Sequence, residues 1–150
     1  MKQIIIFKQL LNDRLFWLAL AAGPFFWFSL YLSGSAISGP GWLLDNNLLF
    51  IQLALLYPIV EELVFRGLIQ ESLAKTSLGR LSIYCLSLPN IVTSIIFTGF
   101  HFLAHSPAWA MSVIVPSLVF GYFRDRYNHV VPAICLHAFY NSGYFMLFGH

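Results

Sequence analysis

The sequence predicts an all-α protein, a polytopic bundle of about five transmembrane helices whose N-terminus lies in the cytoplasm. Composition is the first reason, because 59% of the 150 residues are hydrophobic and only 9% are charged, whereas soluble domains carry about 25% charged residues. The second reason is a set of long apolar runs, and the third is the one-sided distribution of Lys and Arg between them. Cys85 and Cys135 lie in apolar runs and are expected to be buried thiols rather than a disulfide.

Five apolar runs are candidate membrane spans, of which the third and fourth are shorter than the about 20 apolar residues that a helix needs to cross a ~30 Å hydrocarbon core. The predicted spans are residues 15–32, 43–61, 89–104, 108–123 and 131–148. Small or turn-forming residues separate them at 33–41, 77–80 and 106–107. The first span resembles a signal peptide in outline, but its apolar run is longer than that of a typical cleaved segment. It is therefore interpreted as a retained anchor.

Basic residues outside the spans are confined to one side of the predicted membrane. They are Lys2, Lys8 and Arg14 before the first span, Lys75 and Arg80 after the second, and Arg124 and Arg126 after the fourth. The opposite loops, residues 33–42 and 106–107, contain no Lys or Arg. Because cytoplasmic loops are enriched in basic residues, the N-terminus is predicted to be cytoplasmic and His150 to lie outside.

Four polar side chains on three predicted helices lie at similar depths in the inner half of the bilayer. With a rise of ~1.5 Å per residue, Glu61 lies ~13 Å from the inner boundary, His101 ~18 Å, His137 ~10 Å and Asn141 ~16 Å. A charged side chain in hydrocarbon costs roughly 2.5–3.5 kcal/mol on insertion scales, so such residues usually mark functional sites. The four residues therefore predict one polar site within the membrane.

Spacing along each helix suggests which polar residues act together. Glu62 and Arg66 are four residues apart, the separation at which an acid and a base meet on one helix face. Glu61 is rotated ~100° from Glu62 and points elsewhere. The hypothesis that follows is a fixed ion pair between Glu62 and Arg66, which leaves Glu61 for chemistry. His137 and Asn141 are also four residues apart and are predicted to face one cavity.

Three motifs occur in order on separate predicted helices, and together they carry a family resemblance. They read Glu61-Glu62-x-x-x-Arg66, Phe97-x-x-x-His101 and His137-x-x-x-Asn141. These motifs resemble the signature of the CAAX-processing and bacteriocin-processing family (CPBP, also called ABI), a group of glutamate-type intramembrane proteases. The resemblance covers roughly residues 43–148. Residues 1–42 are accordingly interpreted as an anchoring helix with an outer loop, and residues 43–150 as the catalytic helix bundle.

The resemblance implies a mechanism for peptide hydrolysis without a cofactor. Glu61 and His101 would activate a water molecule, while His137 and Asn141 would stabilise the oxyanion of the intermediate. A carboxylate in apolar surroundings is a stronger base, which suits the role implied for Glu61. Oxyanion donors are worth roughly 3–4 kcal/mol each in known acyl-transfer sites.

The remaining motif residues and the setting also follow from the resemblance. Glu62 and Arg66 would hold their helix, and Phe97 is interpreted as a packing residue. The implied substrate is a membrane-associated protein or peptide, cut in a tail, leader or sorting segment. The short chain is similar to the small bacterial proteases proposed to process protein-sorting tails. That similarity suggests a multi-pass protein of the cell (inner) membrane.

Several alternatives remain open at this stage. Glu61, His101 and His137 could form a zinc site of two imidazoles and a carboxylate, although the sequence lacks the HExxH helix. A haem protein could use the two histidines but gives no reason for the acids. A proton-coupled transporter is disfavoured by the lack of a repeat. A catalytically silent immunity or scaffold protein is the other alternative. With a net charge of +2 and no basic patch, no nucleic-acid partner is expected.

Overall fold

The computed structural model describes residues 2–38 and 40–149, and side chains from residue 6 onwards except those of residues 39–41. His150, which the sequence assigns to the outer side, lies outside the described residues. Eight helices are numbered here: α1 Lys2–Asn12, α2 Arg14–Leu32, α3 Pro40–Asp45, α4 Asn47–Ala74, α5 Leu88–His101, α6 Pro107–Ser112, α7 Ile114–Tyr127 and α8 Val131–Phe148. The described chain is therefore all-α apart from one small hairpin.

That hairpin lies between α4 and α5, after a short 3-10 turn at Ser77–Arg80. Strand β1 (Ser82–Ile83) pairs antiparallel with β2 (Leu86–Ser87). Its connecting residues include Cys85, which is exposed. The expectation that both cysteines are buried is thus wrong for Cys85, because the apolar run around it forms a hairpin rather than a helix in the core.

The chain divides into two compact units. The first comprises Met1–Val60 and Cys135–His150, and the second comprises Glu61–Ile134. The boundary falls within the continuous helix α4, so each unit contains part of it. The predicted division into an anchoring segment (1–42) and a catalytic bundle (43–150) concerns the roles of these residues rather than their packing, so it stays a prediction.

Two described helices are long and apolar enough to cross a membrane. Helix α2 has 19 residues with a mean hydropathy of 1.6, and α4 has 28 residues with a mean hydropathy of 1.9. Only 11% of the α2 window and 22% of the α4 window is buried, as expected for helices that face lipid. The first two predicted spans therefore have matching helices, although α4 continues well past Glu61.

The other three predicted spans are matched less well. Helix α5 has 14 residues, a rise of about 21 Å, which is shorter than a ~30 Å core. It ends at His101 rather than at residue 104. Hydrogen bonds of the 3-10 type, such as Phe102 N to Gly99 O (3.3 Å), close its last turn. The fourth span is divided into α6 and α7 at Val113. Helix α8 has the predicted bounds, but these three crossings and the cytoplasmic N-terminus stay predictions.

In the second unit, α4, α5 and α7 pack through buried polar contacts. Arg66 and Gln70 of α4 bond to Ser117 and Gly121 of α7 in the same order, so these two helices run parallel. Asn90 of α5 donates from Nδ2 to the Leu118 carbonyl at 3.0 Å. A Cβ on Gly121 would lie only 1.9 Å from the Asn90 Oδ1 atom. The absence of a side chain there is what allows α5 and α7 to approach so closely.

In the first unit, α2 packs on α8. The Tyr140 hydroxyl donates to the Ala19 carbonyl at 2.5 Å, and the rings of Trp27 and Phe139 lie 5.3 Å apart. A Cβ on Gly143 would lie 2.1 Å from the Trp27 ring, so this position also requires a glycine. These contacts fix α8, the helix that carries His137 and Asn141.

Candidate active site

The predicted ion pair between Glu62 and Arg66 is confirmed. The Arg66 Nη1 atom lies 3.1 Å from Glu62 Oε1, and both side chains are 0% exposed. Their separation of four residues places them on one face of α4, which also contains a π-helical segment at Leu63–Gln70. Because both charges are removed from water, the pair needs hydrogen bonds from neighbouring residues in addition to its own electrostatic attraction.

The Arg66 guanidinium is enclosed by the neighbouring helices of the second unit. Its Nη2 atom donates to the carbonyl and hydroxyl oxygens of Ser117, at 3.0 and 2.6 Å. The rings of Phe97 and Phe120 lie 4.7 and 5.8 Å from the guanidinium carbon, within the range of cation–π attraction. Arg66 therefore connects α4, α5 and α7 at one point.

Glu61 lies beside this pair but differs from Glu62 in exposure. Glu62 is fully buried, whereas Glu61 is half-buried. Arg66 interacts electrostatically with both carboxylates, and more strongly with Glu62. The ion pair of Glu62 is thus present while its role stays a prediction, and the charge on Glu61 also lies within the field of Arg66.

His101 is the last residue of α5 and is half-buried. Its Nδ1 atom lies 2.9 Å from the Phe97 carbonyl oxygen. A carbonyl can only accept a hydrogen bond, so Nδ1 must carry the proton and donate it. In the neutral ring the other nitrogen, Nε2, then has a lone pair that can accept a proton or bind a water molecule.

Phe97 does more than the packing predicted for it. Its ring contacts the His101 ring with centroids 4.5 Å apart and is itself only 2% exposed. The same ring lies 4.7 Å from the Arg66 guanidinium carbon, and the Phe97 carbonyl sets the tautomer of His101. Phe97 thus links the buried ion pair to the histidine. The motif spacing Phe97-x-x-x-His101 contained this signal, because a side chain can reach the carbonyl four residues earlier in a helix.

His137 and Asn141 belong to α8 in the first unit. His137 is buried, with 6% of its surface exposed. The Asn141 Nδ2 atom donates to the Leu53 carbonyl at 3.0 Å. An amide nitrogen carries two hydrogens, so this bond leaves a second donor on the same atom.

The Leu53 carbonyl accepts this bond because its own helix has no donor for it. Residues Gln52–Leu56 form a π-helical segment, in which the N–H of Tyr57 bonds to Gln52. In the same register Leu53 would accept from residue 58, which is Pro58 and has no N–H. Asn141 supplies the missing donor. Nothing in the spacing of the polar residues predicted this bond.

The structure brings some of the predicted residues together within each unit. Glu62 and Arg66 are in contact, and Phe97 contacts both Arg66 and His101. The two units are each described by themselves, so a single site formed by all six residues stays a prediction. Across residues 2–38 and 40–149, no group of three or more His, Cys, Asp or Glu side chains is arranged to hold a metal ion. The expectation of chemistry without a metal stays a prediction as well.

A polar stripe in the second unit was missed by sequence reasoning. Gln70 is 0% exposed and donates to Gly121 O at 3.0 Å and to Asp125 Oδ1 at 2.8 Å. The other Asp125 oxygen accepts from the Ser87 hydroxyl at 2.5 Å. On α4 the stripe continues the four-residue spacing of Glu62 and Arg66, and a search for that period would have found it.

Comparison with known proteins gives one match. Residues 40–143 match the family described as Rce1-like, type II CAAX prenyl endopeptidase Rce1-like. The match covers more than half of the chain and includes all six predicted site residues: Glu61, Glu62, Arg66, His101, His137 and Asn141. No curated protein and no solved structure matches the chain.

Proposed function

The chain belongs to the Rce1-like family of type II CAAX prenyl endopeptidases, and on that premise we propose that it is a glutamate-type intramembrane endopeptidase. Membership makes the chain a membrane protein of a protease family. The observation that carries the finer proposal is the bond between His101 Nδ1 and Phe97 O, which leaves Nε2 with a lone pair that can bind a water molecule.

The proposed reaction begins with a water molecule held between Glu61 and His101. Glu61 removes a proton from the water, whose oxygen attacks the carbonyl carbon of the scissile peptide bond. The same proton then passes to the leaving nitrogen as the C–N bond breaks. His101 binds and orients the water through Nε2. The half-buried position of Glu61 gives water access that fully buried Glu62 lacks.

We further propose that His137 and Asn141 stabilise the oxyanion of the tetrahedral intermediate. The support is the bond from Asn141 Nδ2 to Leu53 O, which fixes the amide plane and thereby the direction of the second N–H. A preorganised donor stabilises the developing charge without reorganising during the reaction. Glu62, Arg66 and Phe97 are positioning residues in this proposal.

The proposed setting is a bundle of five crossings in the inner membrane of a bacterium, with the N-terminus in the cytoplasm. The parallel course of α4 and α7 supports it, since a second and a fourth crossing must run in the same direction. The proposed substrate is a membrane-associated protein or peptide that is cut in a tail, leader or sorting segment. A lipid bilayer is the other partner, and no metal or other cofactor takes part.

Replacing His101 with alanine is expected to reduce cleavage of membrane-bound precursors by about 10²-fold or more, because the water loses one of the groups that orient it. The measurement is quantitative proteomics of precursor C-termini and N-termini in native membranes, comparing the variant with wild type. His105→Ala is the matched control, because His105 is exposed one turn further on and stacks on His101 at 5.8 Å. It should leave the precursor levels unchanged.

Two outcomes of that experiment would contradict the proposal. If no precursor accumulates in the His101→Ala membranes, a catalytically silent scaffold becomes the better description. If cleavage by wild type is lost on treatment with a strong chelator and restored by zinc, the zinc-dependent alternative is correct.

Replacing Pro58 with alanine is expected to reduce kcat by about tenfold and to leave KM unchanged. This loss of kcat is smaller than the roughly 10²–10³-fold loss that follows complete removal of an oxyanion donor. The new N–H can bond to the Leu53 carbonyl, so the Asn141 amide loses its fixed orientation. Steady-state cleavage of a model peptide in reconstituted vesicles measures both constants.

Pro116→Ala is the matched control for this substitution. Pro116 lies in the first turn of α7, so a restored N–H there belongs to another helix and cannot bond to the Leu53 carbonyl through the register of α4. Equal losses of kcat in the two proline variants would contradict the role assigned to Pro58.

A further inference from the structure

The hairpin between α4 and α5 carries an apolar tip that the proposed reaction does not use. The tip consists of Leu81, Ile83, Tyr84 and Cys85. Ile83 pairs with Leu86, so Tyr84 and Cys85 are the two central residues of the turn. Leu81 is 52% exposed, Ile83 57% and Tyr84 99%, and Cys85 is exposed too. Residues 81–85 thus present three large apolar side chains that are each more than half exposed.

The backbone at Tyr84 is unusual for such a side chain. Its φ is +54°, in the left-handed region, and only Asn128 shares this feature among the described non-glycine residues. Two-residue hairpins with a positive φ at the first central position strongly favour glycine there. An aromatic residue at this position is intrinsically disfavoured, and strained residues of this kind concentrate at functional sites. The exposed ring is therefore the feature that needs an explanation.

The base of the hairpin is firmly attached to the second unit. The Leu88 N–H donates to the Leu81 carbonyl at 2.9 Å, and the Ser87 hydroxyl donates to Asp125 at 2.5 Å. Ser87 also caps α5 by accepting from the Asn90 N–H at 3.1 Å. Since the base is held on both sides, the tip projects from a fixed platform rather than from a free loop.

The surroundings of the tip are membrane-proximal and basic. The loop that contains the hairpin starts directly after Ala74, the last residue of the apolar helix α4. Arg80 is exposed immediately before the tip, and Lys75 is 73% exposed one loop earlier. Basic side chains at the end of a membrane helix attract anionic lipid headgroups. Tyrosine, with an apolar ring and a polar hydroxyl, is enriched at the membrane–water interface.

We propose that the hairpin tip inserts into the headgroup region of an anionic bilayer, with Tyr84 as the anchor and Arg80 at the phosphates. Apolar side chains that are exposed to water in the isolated chain are then buried in the interface. The strands have only two residues each, too few to present an extended edge to a peptide. The bilayer surface is therefore favoured over a protein partner. The proposal uses none of the catalytic residues and is independent of the proposed reaction.

Cys85 provides the reporter for the test. Full-length protein with Cys135→Ser is labelled at Cys85 with an environment-sensitive NBD fluorophore. It is reconstituted into vesicles of phosphatidylethanolamine and phosphatidylglycerol, some containing lipids with a nitroxide at the headgroup or deep in the acyl chain. We expect blue-shifted emission and at least threefold stronger quenching by the headgroup nitroxide than by the deep one. The matched control site is Ser77→Cys in a chain with both native cysteines replaced by serine, because Ser77 is exposed and polar in the same loop.

The substitution Tyr84→Gly separates anchoring from folding. It removes the aromatic ring, and glycine adopts the positive φ of this position without strain, so the chain should fold at least as well. We expect quenching at Cys85 by the headgroup nitroxide to fall to the level of the Ser77 site. The proposal is overturned if the Cys85 label is quenched by aqueous iodide as strongly as the control label. It is also overturned if Tyr84→Gly leaves lipid quenching unchanged, or if only an added peptide changes the emission.

Discussion

Replacing Arg66 with alanine is expected to destabilise the folded chain by about 3–5 kcal/mol, the largest stability effect of any single substitution considered. The reason is that the Glu62 carboxylate, 0% exposed, would lose a counter-charge 3.1 Å away. Ser117 and Phe97 would lose their contacts with the guanidinium at the same time. Reversible unfolding in mixed micelles, followed by circular dichroism, measures the loss of stability.

Two further variants identify the cause of that loss. Glu62→Gln combined with Arg66→Met removes both charges while keeping similar volume, and it should recover most of the lost stability because buried pairs are often replaceable. Lys75→Ala is the exposed control, since Lys75 pairs with Glu71 at 2.8 Å but is 73% exposed. That variant should change stability by less than about 1 kcal/mol. Equal destabilisation by the single and double variants would show that packing rather than charge is responsible.

Replacing Glu61 with glutamine is expected to reduce the rate of peptide cleavage by about 10²–10⁴-fold, with a smaller loss of stability than Glu62→Gln because Arg66 interacts less with Glu61 than with Glu62. The amide keeps the shape of the side chain but cannot accept a proton from water. Glu62→Gln should have the opposite profile, with a clear loss of stability and a smaller loss of rate, because its partner Arg66 is buried beside it.

Single-turnover cleavage and unfolding of the same purified samples provide both quantities for each variant. Wild type and the Glu62→Gln variant serve as references for the Glu61→Gln sample. A large rate loss confined to Glu62→Gln would mean that the roles of the two adjacent carboxylates are reversed. The proposed mechanism would then have to be rebuilt around the buried residue.

Contacts within one helix could be predicted from the sequence. The pair of Glu62 and Arg66 follows from a separation of four residues, because helix geometry alone places them on one face. The first two spans follow equally from their long apolar runs, which match α2 and α4. In each of these cases the information is local, so spacing and composition suffice.

Contacts that depend on helix register or on distant elements could not be predicted in the same way. Ser117 is 51 residues from Arg66, and nothing in its own neighbourhood marks it as a partner. The Leu53 carbonyl becomes an acceptor only because α4 changes to a π-helical register before Pro58. The exposed hairpin was missed because its short strands lie in an apolar stretch that shows neither helical nor strand periodicity over a useful length.

The missing donor at Pro58 has a consequence for the order of events during synthesis. Within hydrocarbon every backbone carbonyl needs a donor, and α4 cannot supply one for Leu53 by itself. The donor arrives with Asn141, 88 residues later in the chain. Helix α4 therefore reaches its final state only after α8 has been made and inserted. A ribosome-bound chain that still lacks α8 therefore holds α4 with no side-chain donor for the Leu53 carbonyl.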